Sequence, residues 1–187
     1  EHIVPAKSGG SEWNWEFVRK CNYFLVRYDQ AEVDQAKKDA YAAEVRFFKA
    51  WEYFNKVKRY GDVPWLSKDL TTNSEELYAP RDPRTLVMDS VLACIDWAIE
   101  KLPTKQNAVQ GRINRDVALA LKARICLHEG TFRKYHQLGG EEKFLREAVA
   151  ATTVLMSEGN YSIHNTGNPE WDYRSLFCTL DLKDNKE

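Results

Sequence analysis

The sequence predicts an all-α fold of stacked antiparallel helical hairpins joined by long loops. Three observations carry this. Ala40, Ala43, Phe47, Ala50, Phe54 and Val57 recur at alternating spacings of three and four, the period of one helix face. Tyr41, Val45, Phe48 and Trp51 fill a second stripe beside it, which predicts a helix packed between neighbours. Helix start and stop residues punctuate the chain, and no segment of strand length alternates apolar and polar residues.

The first helix is expected over Glu12 to Tyr28, with Phe17, Cys21, Phe24 and Leu25 facing inward. The second is expected over Glu32 to Lys58, more polar before Ala40, and stopped by Gly61 and Pro64. A connector from Gly61 to Pro80 follows, long for a loop inside a compact domain. Trp65, Leu66, Leu70, Leu77 and Tyr78 are expected to pack it down. The third helix begins at Asp82-Pro83, an N-cap followed by proline in the first turn, and Pro103 closes it. Met88, Leu92, Ile95, Ile99 and Leu102 form its stripe, widened by Val91 and Ala98.

Asn114 is expected to cap the fourth helix, Arg115 to Glu129, with Asp116 placed at the positive end of the helix dipole. This helix is apolar nearly all round and is expected to be the most buried, with Ala118, Ala120 and Ala123 admitting close neighbours. The fifth runs from Glu141 to Glu158, with Phe144, Ala148, Thr152 and Leu155 inward and Gly159 at C′. Tyr161 to Trp171 is expected as loop and Tyr173 to Phe177 as a short last turn. Helical hairpins with alanine-lined contacts are similar in architecture to tetratricopeptide repeats, although no period of about 34 residues is visible.

At 187 residues and 43% apolar, the chain suffices for one domain with its own core. A net charge of −1 gives no electrostatic footprint for nucleic acid and no polybasic run for anionic lipid. No apolar run reaches the ~18 residues of a membrane span. Glu1-His2-Ile3-Val4-Pro5 is not a signal peptide, and Leu182 to Glu187 is a polar tail, so a fragment of a longer protein is expected. Cys21, Cys94, Cys126 and Cys178 lie far apart and are expected as small buried apolar residues.

Catalytic patterns are missing from the sequence. His128 and His136 are eight apart, not at ligand spacing, and His2 and His164 fall in expected loops. There is no phosphate-binding glycine loop and no nucleophile elbow. Neither a metal nor a cofactor is expected, and no enzyme. Glu44 and Arg46 sit in a largely apolar helix, and Arg124 is the partner expected for Glu44.

The remaining signal is aromatic: six Trp, nine Tyr and eight Phe. Sugar rings stack C–H-rich faces on flat side chains, while their hydroxyls require polar partners. Loop aromatics with polar neighbours are therefore the candidates for ligand binding: Trp65, Tyr78, Trp171 and Tyr173. Each also has the plainer role of plugging a loop onto the core, which comes first. Trp13, Trp15 and Trp51 follow helical patterns and are expected in the core.

Six segments in order resemble the SusD/RagB family. Trp13 to Leu25 ends Cys-Asn-Tyr-Phe-Leu, similar to the family's early helix. Glu44 to Ala50 resembles Glu-Ala-Arg-Phe-Leu-Arg-Ala, and Tyr60 to Pro64 reads Tyr-Gly-Asp-Val-Pro. Leu102-Pro103 with Gly111 to Ala118, then Lys122 to Leu127, then Ser157 to Ser162, resemble the later motifs. Departures are Lys49 for Arg, Asn114 for Thr, Val117 for Ala and Cys126 for an aromatic residue.

The resemblance implies a non-catalytic, glycan- or nutrient-binding lipoprotein of the bacterial outer membrane. Such a protein faces outward, is held by a lipid anchor absent from this chain, and works with a SusC-like TonB-dependent transporter. It implies that residues 1–187 are a single tetratricopeptide-like scaffold lacking the lipidation region and the C-terminal portion. It carries over no ligand residue. The alternative expectation is a tetratricopeptide-type protein-interaction scaffold without sugar binding.

Overall fold

The computed structural model describes residues 13–159 and 161–178. The terminal segments discussed above, with His2 and Glu12, lie outside the described residues, as does Asn160 within the last motif. Six α-helices follow one another: α1 (Glu16–Arg27), α2 (Gln35–Tyr60), α3 (Arg84–Lys101), α4 (Arg115–Tyr135), α5 (Glu141–Glu158) and α6 (Pro169–Cys178). Short 3-10 turns occupy Tyr28–Gln30 and Glu75–Tyr78. Among the described residues there is no strand, only a single antiparallel bridge between Val63 and Asp82.

Helices α1 to α5 pack in chain order, each against the next. Side-chain ties fix the antiparallel sense. Arg84 at the start of α3 meets Glu129 late in α4, while Lys122 nearer the start of α4 holds Asp96 of α3 at 2.7 Å and Glu147 of α5 at 2.5 Å. On α2 the stripe of Ala43, Phe47, Ala50, Phe54 and Val57 is buried, facing α3. The neighbour on its other side is α1, but the residues buried there are Ala42, Lys49, Tyr53 and Lys56. Tyr41 and Trp51, expected in a second apolar stripe, are exposed. Polar side chains whose amines reach hydrogen-bond acceptors thus take the place that an apolar count reserved for aromatics.

Two helix starts show how sidechain capping positions the chain. Asn114 Oδ1 accepts from the backbone N–H groups of Asp116 (3.0 Å) and Val117 (3.1 Å), as its residue type predicts. At α3 the expected cap, Asp82, instead accepts from the Trp65 N–H at 2.7 Å. The α3 end is served from the preceding turn: Asp62 Oδ1 accepts from Arg84 N–H at 2.8 Å. The Tyr-Gly-Asp-Val-Pro segment is therefore a clasp. Gly61 turns with φ +71°, Asp62 caps the next helix, and Val63 is buried and bridged to Asp82.

Helix α4 runs six residues past Glu129 and is not buried all round: Ala120, Arg124 and Leu127 face water. Close approach comes from Gly130, where a Cβ would lie 2.7 Å from Leu145 Cγ and 3.1 Å from Leu145 N on α5. In α5, Ala151 is buried and Thr152 is exposed, bonding back to Ala148 O at 2.9 Å. Gly159 keeps a right-handed φ of −72°, and crowding requires it, since a Cβ would lie 2.4 Å from Tyr161 Cδ2. In α1, Val18 and Asn22 turn inward with Cys21, while Phe17 is exposed. Cys21, Cys94 and Cys126 are buried free thiols; Cys178 is exposed, contrary to expectation.

Candidate ligand-binding cleft

The connector 61–80 does not hang free. Its Leu66 is held at both backbone groups: Leu66 N–H donates to Tyr53 Oη (2.7 Å), and Leu66 O accepts from Asn22 Nδ2 (2.9 Å) and Lys49 Nζ (2.9 Å). Asn22 Nδ2 also donates to Lys68 O at 3.0 Å, and Asn22 Oδ1 accepts from Lys49 Nζ at 2.6 Å. Two resemblance motifs meet here, the Asn of α1 and the Lys of α2. Burial pushes the Lys49 amine below its usual lysine value and the Tyr53 phenol well above its usual one. Trp65 packs 4.3 Å from the Tyr53 ring and 4.8 Å from Lys49 Nζ. Trp65 is half-buried against the core and packs the connector down.

So anchored, the connector forms one wall of an open cleft whose other wall is the start of α1. One lobe, about 350 Å³, is lined by Trp15, Arg19, Asn22, Leu66, Thr71 and Leu77, among others. A second, about 310 Å³, is lined by Trp13, Trp15, Leu66, Glu76, Leu77 and Arg81, with others. Trp15, Leu66 and Leu77 are common to both, so the lobes adjoin. Trp13 stands edge-on to Trp15 (5.1 Å) and to Tyr60 (4.8 Å), and it is 40% exposed. The expectation that Trp13 lies in the core is thus corrected, as it is for exposed Trp51, while Trp15 is half-buried and packs against the core. Leu77 and Tyr78 do not pack the connector down; both are exposed, Tyr78 at 84%.

The cleft combines flat apolar faces with donors and acceptors, the pairing that a sugar ring needs. Lys68 and Glu76 form an ion pair along the connector wall at 2.7 Å, which raises the amine's proton affinity and lowers that of the carboxylate.

The other sequence candidates lie apart from it. Trp171 is helical rather than in a loop, sharing α6 with Tyr173, both exposed. Arg174 lies over Trp171 (5.3 Å) and Tyr173 packs on Phe177 (4.9 Å). No ring contact among the described residues joins this pair to Trp65 or Tyr78. Glu44 does not meet Arg124, which faces water on α4. It takes a two-pronged bond from Arg112 instead, at 2.9 and 2.7 Å, because the loop through Gly111 (φ +81°) brings that guanidinium over α2. Among the described residues no group of three His, Cys, Asp or Glu could hold a metal ion.

No family model matches the chain. A curated relative, SusD-like protein P2 of Formosa agariphila, is 29% identical over 144 residues, which is 77% of this chain and 25% of that protein. A crystal structure of a SusD-like protein from Bacteroides fragilis overlays with a TM-score of 0.73 at 30% identity, over 91% of this chain and 30% of that one. A structure described as a laminarin-binding SusD-like protein overlays with a TM-score of 0.70 at 20% identity, over 95% of this chain and 36% of that one. At that identity the last shows the fold alone. The chain spans 25% to 36% of the length of these three proteins.

Proposed function

The chain belongs to the SusD-like proteins, and from that premise we propose that it is the helical scaffold of a non-catalytic glycan- or nutrient-binding protein. The observation that carries this is the overlay on a SusD-like structure across 91% of the chain at 30% identity. The cleft supports it with exposed Trp13, half-buried Trp15 and polar neighbours held on a fixed backbone. Capture would proceed by stacking of sugar faces and by hydrogen bonds to hydroxyls, with no bond made or broken. Residues 1–187 act as one helical domain in this reading. The intact protein is placed on the outward face of the outer membrane by a lipid anchor and passes its ligand to a SusC-like TonB-dependent transporter.

A glycan array probed with the intact protein tests the binding claim. Retention of at least one glycan class, weakened by Trp13→Ala, is the expected result. Absence of retention across the array would overturn it. Co-purification with an outer-membrane transporter tests the partner, and chemical detection of N-terminal acylation tests the anchor.

A further inference from the structure

We propose that the cleft between α1 and the connector selects glycan segments bearing carboxylate or sulfate groups. This rests on the glycan-binding reading and narrows it to a substrate class. The argument is a balance of charges in the cleft. Glu16 is paired with Lys20 at 2.7 Å, and Lys68 with Glu76 at 2.7 Å, so these four cancel locally. Two guanidiniums remain, Arg19 in one lobe and Arg81 in the other. Among the described residues neither is paired with a carboxylate, and both are exposed. The Arg81 guanidinium lies 4.6 Å from the centre of the Trp13 ring, a contact with its face that uses no N–H donor.

The whole chain carries a net charge of −1, so this surplus of positive charge is local to the cleft. A guanidinium presents a planar fork of donors that fits the oxygens of a carboxylate or a sulfate. Two such forks, one at each lobe, flank the apolar surface of Trp15, Leu66 and Leu77 that the lobes share. A neutral sugar would meet the same apolar surface but would offer the forks only uncharged hydroxyls, weaker acceptors than a carboxylate or sulfate. An acidic sugar uses both features at once. Discrimination by charge would accordingly be electrostatic and weakened by salt.

Calorimetric titration of the intact protein tests this with three oligosaccharides of equal length: a uronate, a sulfated galactan and a neutral β-glucan. Either or both anionic probes should bind roughly tenfold or more tightly than the neutral one, and which of them binds identifies the acidic group. That preference should shrink as sodium chloride is raised. Arg19→Gln and Arg81→Gln should each weaken the anionic probe about tenfold and the neutral one by clearly less. Arg81→Lys, which keeps the charge and loses the fork, should fall between. Both arginines are exposed, so circular dichroism should show these variants folded. Equal or tighter binding of the neutral probe, or anionic binding indifferent to both Gln variants, overturns the charge preference and leaves the glycan reading standing. Failure of all three probes together with a blank glycan array overturns both.

Discussion

Lys49 shows at the scale of one residue what the fold asks of its polar side chains. Lys49 is 3% exposed and, among the described residues, its ammonium has no carboxylate partner; Asn22 Oδ1 and Leu66 O hold it. An ammonium out of water is tolerated only while such acceptors surround it. Asn22→Leu keeps the branched shape but strips Lys49 of an acceptor and Leu66 and Lys68 of a donor. We expect a loss of about 2–4 kcal/mol in urea unfolding, with much of it regained in Asn22→Leu/Lys49→Met. Regain in the double variant separates an orphaned charge from simple misfit. The buried thiols supply a pH signature. Burial pushes Cys21 up to about 11 and Cys126 up to about 12, from an ordinary value of 9.0. Above that ordinary value the unfolded chain releases thiol protons that the folded chain retains. Their contribution is thus full below about 9 and is lost as pH rises from there through 11 and 12. Lys49 works in the opposite sense. Its lowered value means that the unfolded chain binds the extra proton below 10.5, so stability gains as pH rises toward that point. The check therefore compares slopes: Cys126→Ala should unfold with a shallower alkaline loss between pH 8.5 and 10.5 than the parent, and identical slopes would refute the assignment.

Among elements, the α4–α5 pair tests propensity against packing most sharply. In an open helix, replacing glycine by alanine gains up to ~1 kcal/mol. At Gly130 the added methyl would lie 2.7 Å from Leu145 Cγ and 3.1 Å from Leu145 N, so the helices must separate or Leu145 must move. We expect Gly130→Ala to lower stability by about 1–3 kcal/mol, and Gly130→Ala/Leu145→Ala to lose less than the sum of the two single changes. Thermal melts of the four proteins decide it. This glycine also marks what a sequence can and cannot disclose. Periodicity located α2 to α5, because burying a stripe of Ala43, Phe47 and Phe54 requires that spacing. Asn114 as a cap was legible because its hydrogen bonds close within three residues. Asp62 as the cap of α3 was not, since its partner lies 22 residues on. Gly130 sits in the interior of α4, and only its neighbour on another helix explains it. The end of α4 was missed for a related reason. Glu129 and Arg133 look like surface residues until α3 and α5 cover them.

Across the whole molecule, the family's motifs turn out to be tie points between distant segments. Asn22 and Lys49 hold the connector, Asp62 holds α3, and Glu44 holds Arg112 across 68 residues. That role explains why motif order revealed the scaffold while the cleft stayed hidden. The cleft exists only where the anchored connector faces α1, so loop composition pointed to Trp65 and Tyr78, while Trp13 and Arg81, which line the cleft, come together only in the fold. The deepest tie was not foreseen at all. Glu129 is 0% exposed and accepts from Arg84 Nη2 at 2.7 Å and Arg133 Nε at 2.8 Å. Arg133 Nη2 further donates to Thr85 O at 3.0 Å, and Arg84 Nη1 to Val57 O at 3.4 Å. The Arg84 guanidinium lies 3.6 Å from the Phe132 ring and that of Arg133 4.3 Å from Phe144 on α5. One carboxylate thus closes α2, α3, α4 and α5 at a single end of the stack. Glu129→Leu would leave the buried Arg84 guanidinium without an anion and Arg133 with only Asp89 at 3.8 Å, and we expect a loss of about 3–5 kcal/mol in urea unfolding. Replacing all three, as Arg84→Met/Glu129→Leu/Arg133→Met, removes the orphaned charges together with the anion and should recover most of that loss. If the triple variant were as unstable as Glu129→Leu, the hydrogen bonds to Val57 O and Thr85 O, not the charge balance, would be what holds this end of the scaffold shut.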